Sequence, residues 1–472
     1  MLFSSNIFLF LFLPLALVSN FLFTKSIAQR NFILLIFSLI FYSFGEIDYL
    51  WLLLLSLTCN YFFGILIDKN LLRNNSNKII IFLAISFNLL LLAYFKYFNF
   101  ILENFYKIFH LEYHPKSIAL PLGISFFTFH AISYLIDIYR KKTKVQKNFY
   151  SLMLYICFFP QLIAGPIVRY NFIAKYLTKR NIHQKAIAFG IRLFLIGLTK
   201  KVIIANPIGE VADAVFGAET EDLNRFLTIC GIVCYSFQIY FDFSGYSDMA
   251  LGLARIFGFK FPPNFNYPYI ALSIKDFWRR WHISLSTWFR DYVYIPLGGN
   301  RVSIYRQYFN LILVFFLCGL WHGASWNFVI WGLFHGVFLV LERLSFFHKF
   351  HKSLPKIIQN FYMLMIIMIG WIFFRGYSLE HSLELIRILI FDGHVVNLPG
   401  NIVRLLNSHY FLMSIALAIL GYSGLIKKMA DKIIKKYKFS IFIVDLFLLA
   451  SFVLVIIRLS AQTHNPFIYF QF

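Results

Sequence analysis

The sequence predicts an all-α polytopic membrane protein, and three observations carry that prediction. Of 472 residues, 60% are hydrophobic and only 14% are charged, which is more apolar surface than one soluble core could bury. The apolar residues gather into runs close to the length of about 20 residues that a helix needs to cross a bilayer. The Lys and Arg behind a formal net charge of +23 lie between those runs, where positive-inside topology and anionic headgroups account for them. The charge therefore points to the lipid bilayer as partner and not to nucleic acid.

The runs follow one another in order. Spans are expected near 7–23, 31–44, 47–67 and 79–97. The first begins at Ile7 without a basic n-region or a small-residue cleavage site, so it reads as a retained span and not a signal peptide. Lys25 and Arg30 follow the first run, Glu46 and Asp48 the second, and Lys69, Arg73 and Lys78 the third. That alternation places the N-terminus outside and the first and third loops in the cytoplasm. Residues 118–138 end in phase at Arg140-Lys141-Lys142. The apolar segment 151–168 carries Pro160, Gly165 and Pro166 and reads as re-entrant, which is tolerated at depth only where protein or a water-filled cavity surrounds the backbone. Runs near 186–205, 225–242, 308–320, 326–342, 357–374, 409–426 and 439–458 complete the set. We expect roughly eleven crossings in a single domain. Cys59, Cys157, Cys230, Cys234 and Cys318 lie in or beside apolar runs and indicate neither a disulfide framework nor a metal site.

The stretch 255–306 breaks the pattern. Its eight Lys/Arg against two Asp put it on the cytoplasmic face. Ser273-Ile-Lys-Asp276 resembles a capping box opening a helix that runs to about Tyr292. On that helix Phe277, Trp281, Leu285, Trp288 and Tyr292 share one stripe, with Lys275, Asp276, Arg279, Arg280 and Arg290 opposite and His282 at the border. An amphipathic interfacial helix follows, stopped by Pro296-Leu-Gly-Gly-Asn300. Beyond it, Trp321-His322-Gly323 sits in a tight turn between two apolar runs. An ionisable group at membrane depth is read first as functional.

The run Asp276-Phe-Trp-Arg-Arg-Trp-His-Ile-Ser-Leu-Ser-Thr-Trp-Phe-Arg-Asp-Tyr-Val-Tyr-Ile-Pro-Leu-Gly-Gly-Asn-Arg301, followed by Gly319-Leu-Trp-His-Gly-Ala-Ser-Trp326, resembles the membrane-bound O-acyltransferase superfamily. More narrowly it is similar to the bacterial branch of alginate and peptidoglycan O-acetylation membrane proteins and teichoic-acid D-alanyl transfer proteins. Pro121-Leu-Gly-Ile-Ser-Phe-Phe-Thr-Phe, Phe159-Pro-Gln-Leu-Ile-Ala-Gly-Pro166 and Trp371-Ile-Phe-Phe-Arg375 fit the same branch. The resemblance implies a ring of transmembrane helices around a funnel, with re-entrant and amphipathic helices at its cytoplasmic mouth. It implies an enzyme of a bacterial inner membrane that takes an acyl group from a cytoplasmic thioester, acetyl-CoA by analogy, and passes it outward with no bound cofactor or metal. An SGNH or serine esterase-like periplasmic partner and a cell-wall or exopolysaccharide acceptor belong to the same expectation.

The chemistry of the residues agrees. Acyl transfer to a hydroxyl needs a base, and histidine titrates nearest neutrality. His322 is the expected base and His282 the second histidine, for chemistry or for orienting the donor. Arg279, Arg280 and Arg290 suit the phosphates of coenzyme A or of a carrier-bound phosphopantetheine, with Trp278, Trp281, Asn300 and Trp321 around them; lipid headgroups are the competing partner. Asp242 and Asp248, at or near the end of a span, and His335 are expected to line the funnel, and His130 to be a packed histidine. D-alanyl transfer, a transporter and a non-enzymatic scaffold stay open; a transporter more often carries inverted repeats, and none is evident. Richness in Phe, Ile, Asn and Lys, as in an A/T-rich genome, leans the acceptor toward peptidoglycan over alginate.

Overall fold

The computed structural model describes residues 1–72, 78–116, 118–391, 399–437 and 439–461; Arg73, used above for topology, lies outside them. All regular elements among the described residues are helical. Among the described residues six helical stretches are long and apolar enough to cross a membrane, or up to eight if each of two bent pairs is one span. One of the six, Ile27–Leu72, holds two helices of 20 and 23 residues, about 30 and 35 Å long, each sufficient for its own crossing. The chain divides into two compact units, Met1–Phe194 with Ser247–Pro262, and Leu195–Tyr246 with Pro263–Phe472.

The first unit opens with a π turn at Phe8–Phe12 and α1 (Leu13–Leu22), then α2 (Ile27–Glu46), α3 (Leu50–Leu72), α4 (Lys78–Ile108) and α5 (Ile124–Tyr139). Ser26 and Gln29 form a reciprocal capping box at the start of α2, satisfying two orphan donors. Asn60 on α3 and Asn88 on α4 exchange amide hydrogen bonds of 3.0 and 2.8 Å, polar glue between apolar helices. The proline-bearing segment is broken, as its composition predicts, into α6 (Phe149–Cys157) and the four-residue α7 (Phe159–Leu162). Every residue from 152 to 168 is buried, so protein surrounds its irregular backbone. Gly165 permits the fold-back, because a Cβ there would collide with the Pro160 carbonyl and the Gln161 backbone. Next come α8 (Tyr170–Thr178) and α9 (Gln184–Thr199), which runs on into the second unit.

In the second unit a π turn at Lys200–Ala205 leads to α10 (Asn206–Phe216) and to α11 (Arg225–Ile256), whose residues from Ser247 on belong to the first unit. The hydropathy reading ended this span at 242, and the structure corrects it: α11 continues to Ile256. Asp242 and Asp248 are therefore mid-helix, and not near a span end. Ser244, Ser247 and Asp248 lower the local hydropathy without stopping the helix, and both serines are buried. The amphipathic segment also differs from expectation. One continuous helix to about 292 was predicted; instead α12 (Ile274–Arg280) and α13 (Ile283–Phe289) meet at a break and end in a π turn at Arg290–Tyr294. The expected stripe survives the break, since Phe277, Trp281, Leu285, Trp288 and Tyr292 are all buried.

α14 (Ile304–His322) and α15 (Trp326–Leu341) form a tight hairpin. Their backbones touch where Gly319 meets the Phe328 carbonyl and Gly332 meets the Phe315 carbonyl; a Cβ at either glycine would collide. Such small-residue crossings let helices approach closely in a membrane. α16 (Ser345–Ser353) bends away from α15 by 82°. The described residues continue through α17 (Lys356–Arg375), α18 (Leu379–Phe391), α19 (Gly400–Leu406), α20 (His409–Gly421), the Lys-rich α21 (Leu425–Lys436) and α22 (Ser440–Ala461).

Candidate active site

His322 is the last residue of α14 and so ends the helix, which runs two residues past the expected end at 320, instead of lying in the turn expected from sequence. Gly323 ends the helix in an extended conformation, and a Cβ there would collide with the Phe328 ring. The imidazole is 5% exposed. Three rings meet it edge-to-face: Trp321 at 4.9 Å, Trp331 of α15 at 5.1 Å and Phe374 of α17 at 5.0 Å between centroids. Three helices thus fix the ring inside aromatic walls, where electrostatic interactions act at low effective dielectric.

His282 occupies the α12–α13 break in the left-handed conformation, φ 41° and ψ 55°. A non-glycine residue pays about 1–2 kcal/mol for that backbone, so something must hold it. Asn264 does. Its carbonyl accepts the Ile283 N–H at 2.9 Å, and its side-chain Oδ1 accepts the Ser284 N–H at 3.0 Å. These bonds satisfy α13 donors that lack intrahelical partners. The same Oδ1 lies 3.3 Å from His282 Nδ1. The Ser284 N–H requires the amide oxygen on that side, so a proton on His282 Nδ1 completes the contact to Asn264; the Ser284 hydroxyl lies 3.5 Å from the same nitrogen. Burial pushes the imidazole pKa down to about 3, so the ring is neutral at pH 7. It stands edge-on to Phe243 at 4.7 Å and to Trp321 at 6.1 Å. The two histidines share Trp321 as a neighbour.

Two histidine-bearing segments converging in an apolar helical protein invite comparison with known sequences. The model of MBOAT, the membrane-bound O-acyltransferase family, matches residues 36–379. The chain belongs to that family. It is a multi-pass membrane O-acyltransferase. It is similar at 36% identity, over the full length of both chains, to an Azotobacter vinelandii protein named probable alginate O-acetylase AlgI. It is 40% identical to the peptidoglycan O-acetyltransferase of Helicobacter pylori, covering 82% of this chain and 79% of that one. The teichoic acid D-alanyltransferase of Bacillus subtilis is 34% identical over 52% of this chain and 64% of its own.

In this acyltransferase the other residues singled out from the sequence divide into groups. Trp278 packs edge-to-face on Phe315, Trp331 and His335, and Trp281 packs among Phe265, Phe277 and Trp371. His335 is fully buried, and neither ring nitrogen has a hydrogen-bond partner among the described residues. Its neighbour Trp331 also touches His322, so Trp278, His335, Trp331, His322, Trp321 and His282 form one continuous aromatic cluster. Arg280 and Arg290 are paired with Asp276 at 3.0 Å and Asp291 at 2.7 Å, whereas Arg279 is exposed. Asn300 Oδ1 accepts from Tyr294 at 2.7 Å. Asp242 forms a buried ion pair of 2.9 Å with Lys201, and removing one partner of such a pair costs about 3–5 kcal/mol. Asp248 belongs to the first compact unit, as does His130, which is fully buried.

Sequence reasoning did not single out Asn264, Lys201 or Trp331. Pro262-Pro263-Asn264 offered a turn signal, but nothing local tied it to a histidine eighteen positions on. Lys201 lay inside an apolar run and could have been paired with Asp242 on the rule that intramembrane charges find partners.

Proposed function

We propose that this acyltransferase is an O-acetyltransferase of a bacterial inner membrane. It takes acetyl from cytoplasmic acetyl-CoA and passes it outward for O-acetylation of an extracytoplasmic glycan, with peptidoglycan favoured over alginate. The observation that carries the reading is the enclosed His322–Trp321–His282 cluster in a chain whose O-acetylase relatives align along its whole length. D-alanyl transfer is less favoured because the D-alanyltransferase relatives align with only about half of it. The Phe- and Ile-rich composition supports peptidoglycan, and the match to the Helicobacter pylori enzyme is consistent with it.

In the proposed step an acceptor hydroxyl attacks the thioester carbonyl carbon. A C–O bond forms, the C–S bond breaks, and the hydroxyl proton passes to His322 and then to the departing thiolate, so no net proton is consumed. His282, with Nδ1 facing Asn264 and Ser284, has Nε2 left to hydrogen-bond the donor's pantetheine amide. A separate periplasmic protein of SGNH or serine esterase type completes delivery to the glycan.

Purified protein in proteoliposomes with radiolabelled acetyl-CoA should release coenzyme A and transfer label to an added acceptor. Label transferred only from a D-alanyl carrier thioester would overturn the acetyl assignment. In cells, deleting the periplasmic partner should abolish glycan acetylation while donor consumption persists; normal glycan acetylation without any partner would contradict the division of labour.

A further inference from the structure

Of the three arginines first read as donor ligands, two are already neutralised by carboxylates, as described above. The third, Arg279, and two further cations, Lys275 and Arg343, form no ion pair among the described residues. Lys275 and Arg279 lie four apart on α12 and share a face, and both are exposed. Arg343 is brought to them by its neighbour Glu342, which caps α12 from the end of α15: its two carboxylate oxygens accept the Ile274 N–H at 2.6 Å and the Lys275 N–H at 3.0 Å. That carboxylate is committed to the backbone.

The Arg343 guanidinium is aimed without being neutralised. Its Nη1 donates to the Tyr294 hydroxyl at 3.3 Å, Asn300 Oδ1 at 3.4 Å and Gln307 Oε1 at 3.1 Å. All three acceptors are uncharged, and the side chain is half-buried. A guanidinium pre-oriented by neutral groups beside two further cations is the arrangement that multiply charged phosphate groups require. Burial, reinforced by the charges of Arg279 and Arg343 and opposed by Glu342, holds the Lys275 ammonium below its ordinary pKa, which an arriving anion would reverse.

Position supports a donor over a bystander. Arg343 and His322 flank opposite ends of α15, whose 16 residues span about 24 Å. A coenzyme A thioester likewise carries phosphates at one end and its acyl group at the far end of an extended arm. We propose that Lys275, Arg279 and Arg343 form the phosphate site of the acyl donor and select a nucleotide-bearing thioester over one linked to a carrier protein through a single phosphodiester. This rests on the acetyltransferase reading above. A phospholipid headgroup offers the same phosphate chemistry, so the test must separate the two sources.

The full-length protein is reconstituted in phosphatidylcholine vesicles without anionic lipid. KM and kcat are measured with acetyl-CoA and with acetyl-pantetheine, which has the thioester arm but no phosphate. Arg343→Gln, and separately Lys275→Gln with Arg279→Gln, should raise the KM for acetyl-CoA by about tenfold or more, the scale of losing a charged hydrogen bond. The turnover number and the KM for acetyl-pantetheine should stay within twofold. Equal effects on the two donors, or none on either, would overturn the phosphate site while leaving the acetyltransferase reading intact. An effect that appears only when phosphatidylglycerol is present would assign the cluster to lipid and overturn it. Wild-type transfer solely from a carrier-bound thioester would also overturn it. No wild-type transfer from any thioester would remove the underlying reading as well. If Arg343→Gln does not accumulate, the exposed Lys275 and Arg279 pair carries the same test.

Discussion

The α14–α15 hairpin and the α12–α13 segment each deliver one histidine to the same aromatic cluster, and they do so by opposite physical means. The hairpin is held by backbone contact: two long apolar helices meet at Gly319 and Gly332, and His322 is fixed by where its helix stops. The α12–α13 segment consists of two seven-residue helices, too short to be stable alone, and its histidine is fixed by hydrogen bonds from Asn264. In one region packing places the functional group; in the other a polar strap places it. Substitutions should therefore disrupt folding in the first region and geometry in the second.

The largest effect should come from the hairpin crossing. Gly332→Val puts two methyl groups against the Phe315 backbone, which cannot yield without separating the helices, and overpacking of this kind is strongly destabilising. Loss of a monodisperse peak in detergent is the expected result. A well-folded Gly332→Val protein would show that the two helices do not rely on close approach.

A smaller effect, on rate and not on folding, should follow from Asn264→Ala. The His282 ring loses its Oδ1 partner at Nδ1 and the following turn loses the cap on the Ser284 N–H, and misplacement on this scale lowers transfer by about tenfold or more. His282→Ala should lower it by a similar factor, and the double variant should be no worse than His282→Ala alone, since the asparagine acts through the histidine. Additive losses would separate the two residues and break the strap.

The smallest effect concerns pH. His282 has a folded-state pKa depressed by burial to about 3, against about 6.5 when unfolded. Its contribution to stability is present above pH 6.5 and is lost progressively as pH falls toward 3, because the unfolded chain takes up a proton that the folded one does not. Between pH 7 and 5 the melting temperature in detergent should fall, and His282→Gln should make that fall shallower by the equivalent of one proton. An unchanged slope would mean that this imidazole is not held neutral by its surroundings.

The same contrast explains what could be read from the sequence. Hydropathy located both hairpin helices, and the run read as ending at 320 falls two residues short of the observed helix end at His322, because a helix end in an apolar run is a local event. The stripe from Phe277 to Tyr292 correctly identified the buried face of the α12–α13 segment, for the same reason. The break at His282 was not legible. Its stabilising partner Asn264 arrives from a loop by tertiary folding, and no period or cap at the break encodes it. Arg343 was hidden similarly, since tertiary contacts between α15 and α12, the Glu342 cap and Trp278 packing among them, bring it beside Lys275. The end of α11 was misjudged because hydropathy weighs the side chains of Ser244, Ser247 and Asp248 and not the burial that accommodates them.

The central claim is that acyl transfer occurs at the histidine held by the hairpin. Its most direct test is single-turnover transfer of radiolabelled acetyl by His322→Ala in proteoliposomes, alongside wild-type protein of matched amount and elution volume. The substitution leaves the α14–α15 crossing intact, so the protein should fold, while transfer should fall by about 10² or more, the scale of losing general-base catalysis. A folded His322→Ala protein that transfers acetyl at a near wild-type rate would contradict the account.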